Sequence, residues 1–539
     1  MARRSMARLP AAAFAFWLAL TLAGCAAPPA RPAVEAAPAH DVVGLFPMDA
    51  YDQNVDHWID PHDAAYDRPF LSAAQQRAHE EALYARYFGA GSGASSGANS
   101  GSNSGNSTGS GAANATAPSP WNPAYIEQVV YRDGGDAIAA LQRRRLSWFD
   151  NRERTGRHIG YGQNFRPHTA AWIDAIAKNM NVAQFEGAPH YAGSQRAIAT
   201  GNLLVRELPT MDPSFYDWHI AGEGYPFDNL QISAVRPGTP LYVLGSSADG
   251  AWRYVQTPDL QGWVQSDHVG TVDDAFVLAW RAAAGKMWGA VIAASAPVSD
   301  SQGTFRFNAP AGSLLPLQAA ASSSAAGSAS ANTWNVLVPA RDIDGRAVIR
   351  TATLDASQIA PMPLAATPRN LAMRLKNLIG RPYGWGNTGF YNDCSSELQS
   401  VFAAFGVWLP RHSSTQMSAG RMTDLSDASP TERLDYLAHH GVPMRTLIYI
   451  GGHVMLYLGN TTRDGKVVPV VYQDVWGLRP ADNSRRAVIG GSVILPLLAR
   501  IPEDPSLESL AGTPTFQISV IGGPDEGGPS QGDEDNPAS

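Results

Sequence analysis

The sequence predicts an α+β fold, and three patterns predict it. Helical repeats gather in the first third of the chain. A middle stretch breaks into short Val, Leu, Tyr and Trp runs separated by Gly, Asp and Pro. Near residue 400 one apolar helix pattern is followed by two strands joined by a turn. Helices and strands therefore fall in separate blocks instead of alternating, the arrangement of an α+β chain. A length of 539 residues suits three or four domains.

The first element is a leader, residues 1–24. "MARRSMARLPAAAFAFWLALTLAGC" has a basic start, an apolar run from Leu9 to Gly24 too short to span a bilayer, and small residues before Cys25. Leu22-Ala23-Gly24-Cys25 resembles a bacterial lipobox, which implies acylation of Cys25 and a membrane tether. Ala26 lacks the acidic character linked to inner-membrane retention, so the expected place is the periplasmic face of a Gram-negative outer membrane. An N-terminal segment, 25–88, follows, with the helix-like "SAAQQRAHEEALYARYF". Residues 89–120 are rich in Gly, Ser and Asn and read as a linker. Residues 121–190 read as helical, 191–282 and 283–361 as two small β-barrels, 362–500 as the catalytic part, and 501–539 as an acidic, disordered tail.

The two cysteines make the chemical argument. With Cys25 taken by lipid, Cys394 has no partner for an intramolecular disulfide. Its neighbours in "YNDCSSELQS" are polar, unlike those of a core cysteine. Leu398, Val401, Phe402 and Phe405 repeat at helical spacing, Asn392 or Asp393 can cap the start, and Gly406 can end the helix. Cys394 then lies in the first turn, where free backbone N–H groups and the helix dipole are expected to lower a thiol pKa. Among 13 histidines, His453 is the candidate base. It opens the strand "HVMLYLGN", and "KVVPVVYQDVWG" returns after "NTTRDG" as a hairpin partner, so that Gln473 can stand beside the imidazole. Position alone leaves His412, His439 and His440 as rivals. Asp474 is the competitor of Gln473, placed on the opposite face by strand alternation.

These residues resemble the NlpC/P60 cysteine peptidases, which cut bacterial cell-wall peptides. Tyr383, Trp385, Gly386, Asp393, Cys394 and Ser395 meet one family pattern, and Leu409, Pro410, Arg411, Ser413 and Gln416 meet another; His453 meets the glycine-histidine-valine strand. Ser396 departs from the frequent glycine, and Gln473 from the frequent third-position histidine. "GEGYPFDNLQISAVRPGTPLYVLGSSADGAWRYVQTPDLQGWVQSDHV" resembles a bacterial SH3 domain through its Gly-Thr-Pro-Leu, Asp-Gly-Ala-Trp and Gly-Trp-Val turns.

The resemblance implies a papain-like catalytic domain behind two SH3-like barrels and a helical N-terminal region. It implies acyl transfer through a Cys394 thioester with His453 as base, Gln473 orienting it, and backbone N–H groups holding the oxyanion. Tyr383, Trp385, Asp393 and Ser395 would line the substrate, joined by Glu223 and Tyr225 from the first barrel. The implied substrate is the γ-D-glutamyl–diamino acid bond of stem peptides with a free N-terminal L-alanine, whose ammonium would meet Asp393. A lipid-tethered wall-binding module, and an amidase or acyltransferase with the same dyad, are the competing readings. No cofactor or metal is expected, since Cys and His clusters at zinc spacing are absent from the sequence. Nucleic acid is excluded as a partner: the net charge is −8, and Arg3, Arg4 and Arg8 leave with the leader. A monomer is expected.

Overall fold

The computed structural model describes residues 43–89, 118–220, 224–318 and 332–522. Cys25 with its lipobox, Glu223, nearly all of the Gly/Ser/Asn-rich stretch and the chain beyond 522 lie outside the described residues.

Strand β1 (Val43–Leu45) opens the described chain, and helix α1 (Ala73–Phe88) follows. A capping box starts α1: Ser72 Oγ accepts from the Gln75 N–H, and Gln75 Oε1 accepts from the Ser72 N–H. Helices α2 (Gly134–Phe149) and α3 (Ala170–Met180) come next. Their buried Ile138, Ile173, Ile176 and Met180 pack with Tyr242, Trp252 and Trp263 of the first barrel. The helical region is thus a cover for that barrel, and its apolar faces are buried there.

The first barrel is built from β2 (Arg196–Ala199), β3 (Leu203–Arg206), β4 (Gln231–Val235), β5 (Pro240–Ser246), β6 (Trp252–Gln256), β7 (Gln261–Gln265) and β8 (Val269–Thr271), in the order β4-β3-β7-β6-β5-β2-β8. Helix α4 (Asp274–Lys286), capped by Asp273, leads to the second barrel. There β9 (Trp288–Val291), β12 (Leu314–Gln318), β13 (Thr333–Arg341), β14 (Ala347–Asp355) and β15 (Ile359–Pro361) form a sheet, with a β10 (Ser295–Ser299) and β11 (Phe305–Pro310) hairpin beside it. Phe276, Val277 and Trp280 of α4 lie in the core of this second barrel. The boundary drawn at 282 therefore falls inside a helix whose apolar face belongs to the later domain.

The catalytic part has helices α5 (Pro368–Leu378), α6 (Cys394–Ala403) and α7 (Pro430–His440) on a sheet of β16 (Gly420–Asp424), β17 (Thr446–Tyr449), β18 (Val454–Arg463), β19 (Lys466–Leu478), β20 (Arg486–Pro496) and β21 (Gln517–Ile521). Its order is β1-β20-β19-β18-β17-β21-β16. Two pieces come from outside the expected boundaries. β1, from the N-terminal segment, runs parallel to β20, and Gln53 bonds both the carbonyl and the N–H of Ile494 at 2.9 Å. β21, assigned by sequence to a disordered tail, is an antiparallel strand between β17 and β16. The two apolar faces of the sheet explain why: Ile521 joins the core under α6, and Ile518 the core on the other side.

Candidate active site

Helix α6 carries the nucleophile candidate, and all ten of its residues are buried. Leu398, Val401, Phe402 and, just beyond its end, Phe405 are fully buried, and each contributes roughly 1.5–3 kcal/mol by leaving water. That packing fixes where the helix starts. Asp393 is the N-cap, its Oδ1 accepting from the Ser396 N–H at 3.0 Å. Ser396 Oγ accepts from the Asp393 N–H at 2.8 Å, completing a capping box. The serine that departs from the family glycine thus stabilises the turn that presents Cys394, and Asn387 Nδ2 donates to it at 2.9 Å.

The Cys394 thiol does not follow the helix-terminus expectation. Burial, with the Asp393 charge adding to it, pushes the thiol up to about 12, although the Val454 N–H and Arg411 pull the other way. Desolvation outweighs the dipole because the cysteine is only 6% exposed. The sulfur lies 4.0 Å from the Gly452 carbonyl oxygen and accepts from the Val454 N–H, so it sits against the backbone on both sides of His453.

His453 stands at the head of β18, after Gly451 and Gly452, both in left-handed backbone conformation. Its Nε2 is 2.7 Å from Gln473 Oε1 on β19. With that oxygen as acceptor, Nε2 carries the proton and Nδ1 keeps the lone pair a base requires. Burial pushes the imidazole down to about 4, against the raising effect of the Gln473 bond. Thiol and imidazole are therefore both neutral near pH 7.

Asp474 is not on the histidine. It shares the α6-facing side of β19 with Tyr472, whose hydroxyl donates to Glu397; Ser492 Oγ and Asn392 Nδ2 also donate to Glu397, at 2.7 and 2.6 Å. Burial pushes both carboxyls, Asp474 and Glu397, above their ordinary values, and Asp474 Oδ1 has no hydrogen-bond partner among the described residues. Of the rival histidines, His412 is pushed down by burial, exposed His439 bonds the Asp435 carbonyl at 2.8 Å, and His440 packs on Tyr436; among the described residues no hydrogen bond ties any of the three to Cys394.

Asp393 and Ser395 are not free to hold substrate in the way the sequence suggests. Arg411 donates to Asp393 Oδ1 and Oδ2 at 3.1 and 2.6 Å, to Ser395 Oγ at 2.8 Å and to Asn387 Oδ1 at 2.9 Å, while its Nε donates to Ser233 Oγ of the first barrel at 2.8 Å. All five donors of this buried guanidinium are used. The Leu-Pro-Arg motif names Arg411 without a role; an arginine buried directly after Leu409-Pro410 needs a partner, and Asp393 is that partner.

Barrel 1 closes on the loop before α6. Trp385 Nε1 donates to the Asp228 carbonyl at 3.1 Å, and its ring meets Phe227 edge-on at 5.1 Å. Phe227 meets Trp476 at 5.3 Å, and Trp476 lies 6.2 Å from Tyr383. Gly386 allows the approach: φ is 56°, and a Cβ there would stand 2.4 Å from the Gln231 carbonyl oxygen. Tyr383 reaches the site, its phenol raised well above the ordinary value by burial and next by Cys394. Trp385 packs on the barrel at the junction. Tyr225 is 49% exposed and packs on Phe165 and Phe215, and among the described residues no hydrogen bond or ring contact joins it to Cys394 or His453. Phe227 and Trp476 were missed, because nothing in a sequence pairs aromatics so far apart.

A capped helix whose thiol lies against the backbone on both sides of a strand-borne histidine, on an α+β scaffold with two barrels ahead of it, is a peptidase-type arrangement. Three family models match parts of the chain: the NlpC/P60 family over residues 380–466, an SH3 domain of SH3b1 type over 213–265, and one of SH3b2 type over 273–321. The chain thus carries an NlpC/P60 domain behind two SH3 domains. The fold resembles that of a solved NlpC/P60 endopeptidase from Photobacterium damselae subsp. piscicida, with a TM-score of 0.68 and 26% identity over 88% of this chain and 98% of that one. A γ-D-glutamyl-L-lysine dipeptidyl-peptidase of Bacillus subtilis is 33% identical over 96 residues, 17% of this chain and 31% of the relative. A probable endopeptidase of Corynebacterium glutamicum is 29% identical over 112 residues, 21% of this chain and 52% of the relative. The chain spans only those shares, 31% and 52%, of the curated relatives it matches.

Proposed function

We propose that the protein hydrolyses the γ-D-glutamyl–diamino acid bond of peptidoglycan stem peptides through a Cys394 thioester. The supporting observation is that the Cys394 sulfur lies against both peptide neighbours of His453, whose imidazole is held by Gln473. His453 Nδ1 takes the thiol proton as sulfur adds to the carbonyl. The proton then goes to the leaving amine, and water attacks the thioester with the same imidazole as base. The N–H groups of the first turn of α6 are the oxyanion donors, preorganised by the Asp393 cap.

A free amino terminus is the preferred substrate end. Support comes from barrel 1, whose Phe227 and Asp228 close on Trp385 beside the cleft, and from the relative named as a dipeptidyl-peptidase. An arriving ammonium meets Asp393 only in competition with Arg411, so its recognition needs further acceptors from the barrel side. The test compares L-Ala-γ-D-Glu-diaminopimelate with the same peptide linked to N-acetylmuramate. The free peptide should be cut faster by about two orders of magnitude, as expected where a buried polar contact is lost; equal rates would contradict the preference. Cys25 acylation would tether the enzyme at the periplasmic face of the outer membrane, and Cys25→Ser should move it from the membrane fraction to the soluble one.

A further inference from the structure

Away from the thiol, a cavity of about 310 Å³ opens between the helical region and barrel 1. Trp148, Phe149, Arg154 and His158 border it on one side, and Glu207, Tyr216 and Asn229 on the other. Three features define what it can hold. Trp148 is 46% exposed at the rim, with Arg144 over one face of its ring at 5.7 Å from the centre, so the aromatic surface left to a ligand is its other face. Glu207 is paired with Arg145 at 2.7 Å, which leaves it as a compensated acceptor. Among the described residues the Arg154 guanidinium has no ion pair or hydrogen bond, only its backbone N–H being bonded, to the Asn151 carbonyl, so its charge lines the cavity unpaired.

An aromatic plate suits the apolar face of a pyranose ring, and amide, phenol and carboxylate groups suit its hydroxyls. A lone guanidinium suits a carboxylate, where charge-assisted bonds are strongest. The volume is that of one substituted sugar. We propose that this cavity binds a carboxylate-bearing N-acetyl amino sugar of the wall glycan, separate from the cleft that holds the peptide. It rests on the wall-peptide reading only for the source of the sugar. Ser214, Tyr216 and Asn229 belong to the β3–β4 loop, and the same loop carries Phe227 and Asp228 onto Trp385. The sugar site and the cleft are thus two faces of one loop, and glycan held on one face keeps the enzyme where stem peptides are released to the other.

The test titrates the full chain calorimetrically with N-acetylmuramic acid and with N-acetylglucosamine, which differ in the lactyl carboxylate and contain no bond that Cys394 could cut. Saturable binding of both is expected, with N-acetylmuramic acid about tenfold tighter, the scale of one charged hydrogen bond. Arg154→Gln should bring the two sugars to equal affinity, and Trp148→Ala should abolish both. Hydrolysis of the free tripeptide should stay at the wild-type rate in each variant, which also shows that the variants fold. Absence of saturable binding, a wild-type preference for neither sugar, or unchanged binding in both variants would overturn the proposal. Loss of hydrolysis with sugar binding intact would count against the proposed peptidase activity alone.

Discussion

The two barrels touch the same helix in different ways. Barrel 1 reaches the reacting end of α6 through side chains: Ser233 bonds Arg411, which holds the Asp393 cap, and Phe227 and Asp228 hold Trp385. Barrel 2 meets the middle and far end of α6 largely through backbone. The Ile292 carbonyl accepts from Arg374 and, at 2.9 Å, from Asn377; Arg374 also donates to the Ser400 carbonyl at 3.2 Å, and Gly312 lies against Ser400. Barrel 1 bonds the middle of α6 too, Arg236 donating to Ser400 Oγ and Gln399 Nε2 to Asp259, so it bears on both reaction geometry and stability, and barrel 2 on stability.

The largest effect should come from breaking the barrel 1 link. Arg411→Ala leaves the buried Asp393 carboxylate uncompensated and should cost about 3–5 kcal/mol of stability. Thermal unfolding measures it, and activity should fall as the cap loosens. The matching change on the barrel 2 side, Asn377→Ala, removes one bond to a carbonyl that Arg374 still satisfies. It should cost at most about 1 kcal/mol and leave kcat/KM unchanged. Comparable losses of activity in both variants would erase the contrast between the barrels.

Between these lies Gln473→Ala. It removes a group that only orients His453 and should reduce kcat about 10- to 100-fold. The pH profile gives a second readout. His453 must be neutral to act as base, so activity should persist below pH 6.5 and fall as pH drops through about 4. The Gln473 bond raises that value, so its removal should move the acid limb lower still. An unshifted limb would mean that the glutamine does not act on the imidazole.

Some of this was legible in sequence and some was not. The α6 pattern, the β18–β19 hairpin and the pairing of His453 with Gln473 follow from local periodicity and strand register, which neighbours in sequence determine. β1 on β20 and β21 between β17 and β16 were not legible. Both are short strands, and their partners are remote in sequence or fall past an apparent domain end. The thiol pKa failed for a related reason: a helix start is a local feature, whereas the burial of Cys394 is set by β18 and the whole underlying core. Asp393 was seen as both cap and substrate ligand, and only Arg411, 18 residues on, shows how its oxygens are used.

The central claim is that Cys394 is the nucleophile. Intact-mass analysis of protein treated with a thiol-directed electrophile, combined with turnover of the free tripeptide by Cys394→Ala, tests it most directly. One adduct should form, at Cys394, with its rate following substrate protection, and the alanine variant should fold normally and show no turnover. Hydrolysis by Cys394→Ala above about 1% of wild type, well beyond what loss of a covalent nucleophile leaves, would contradict it.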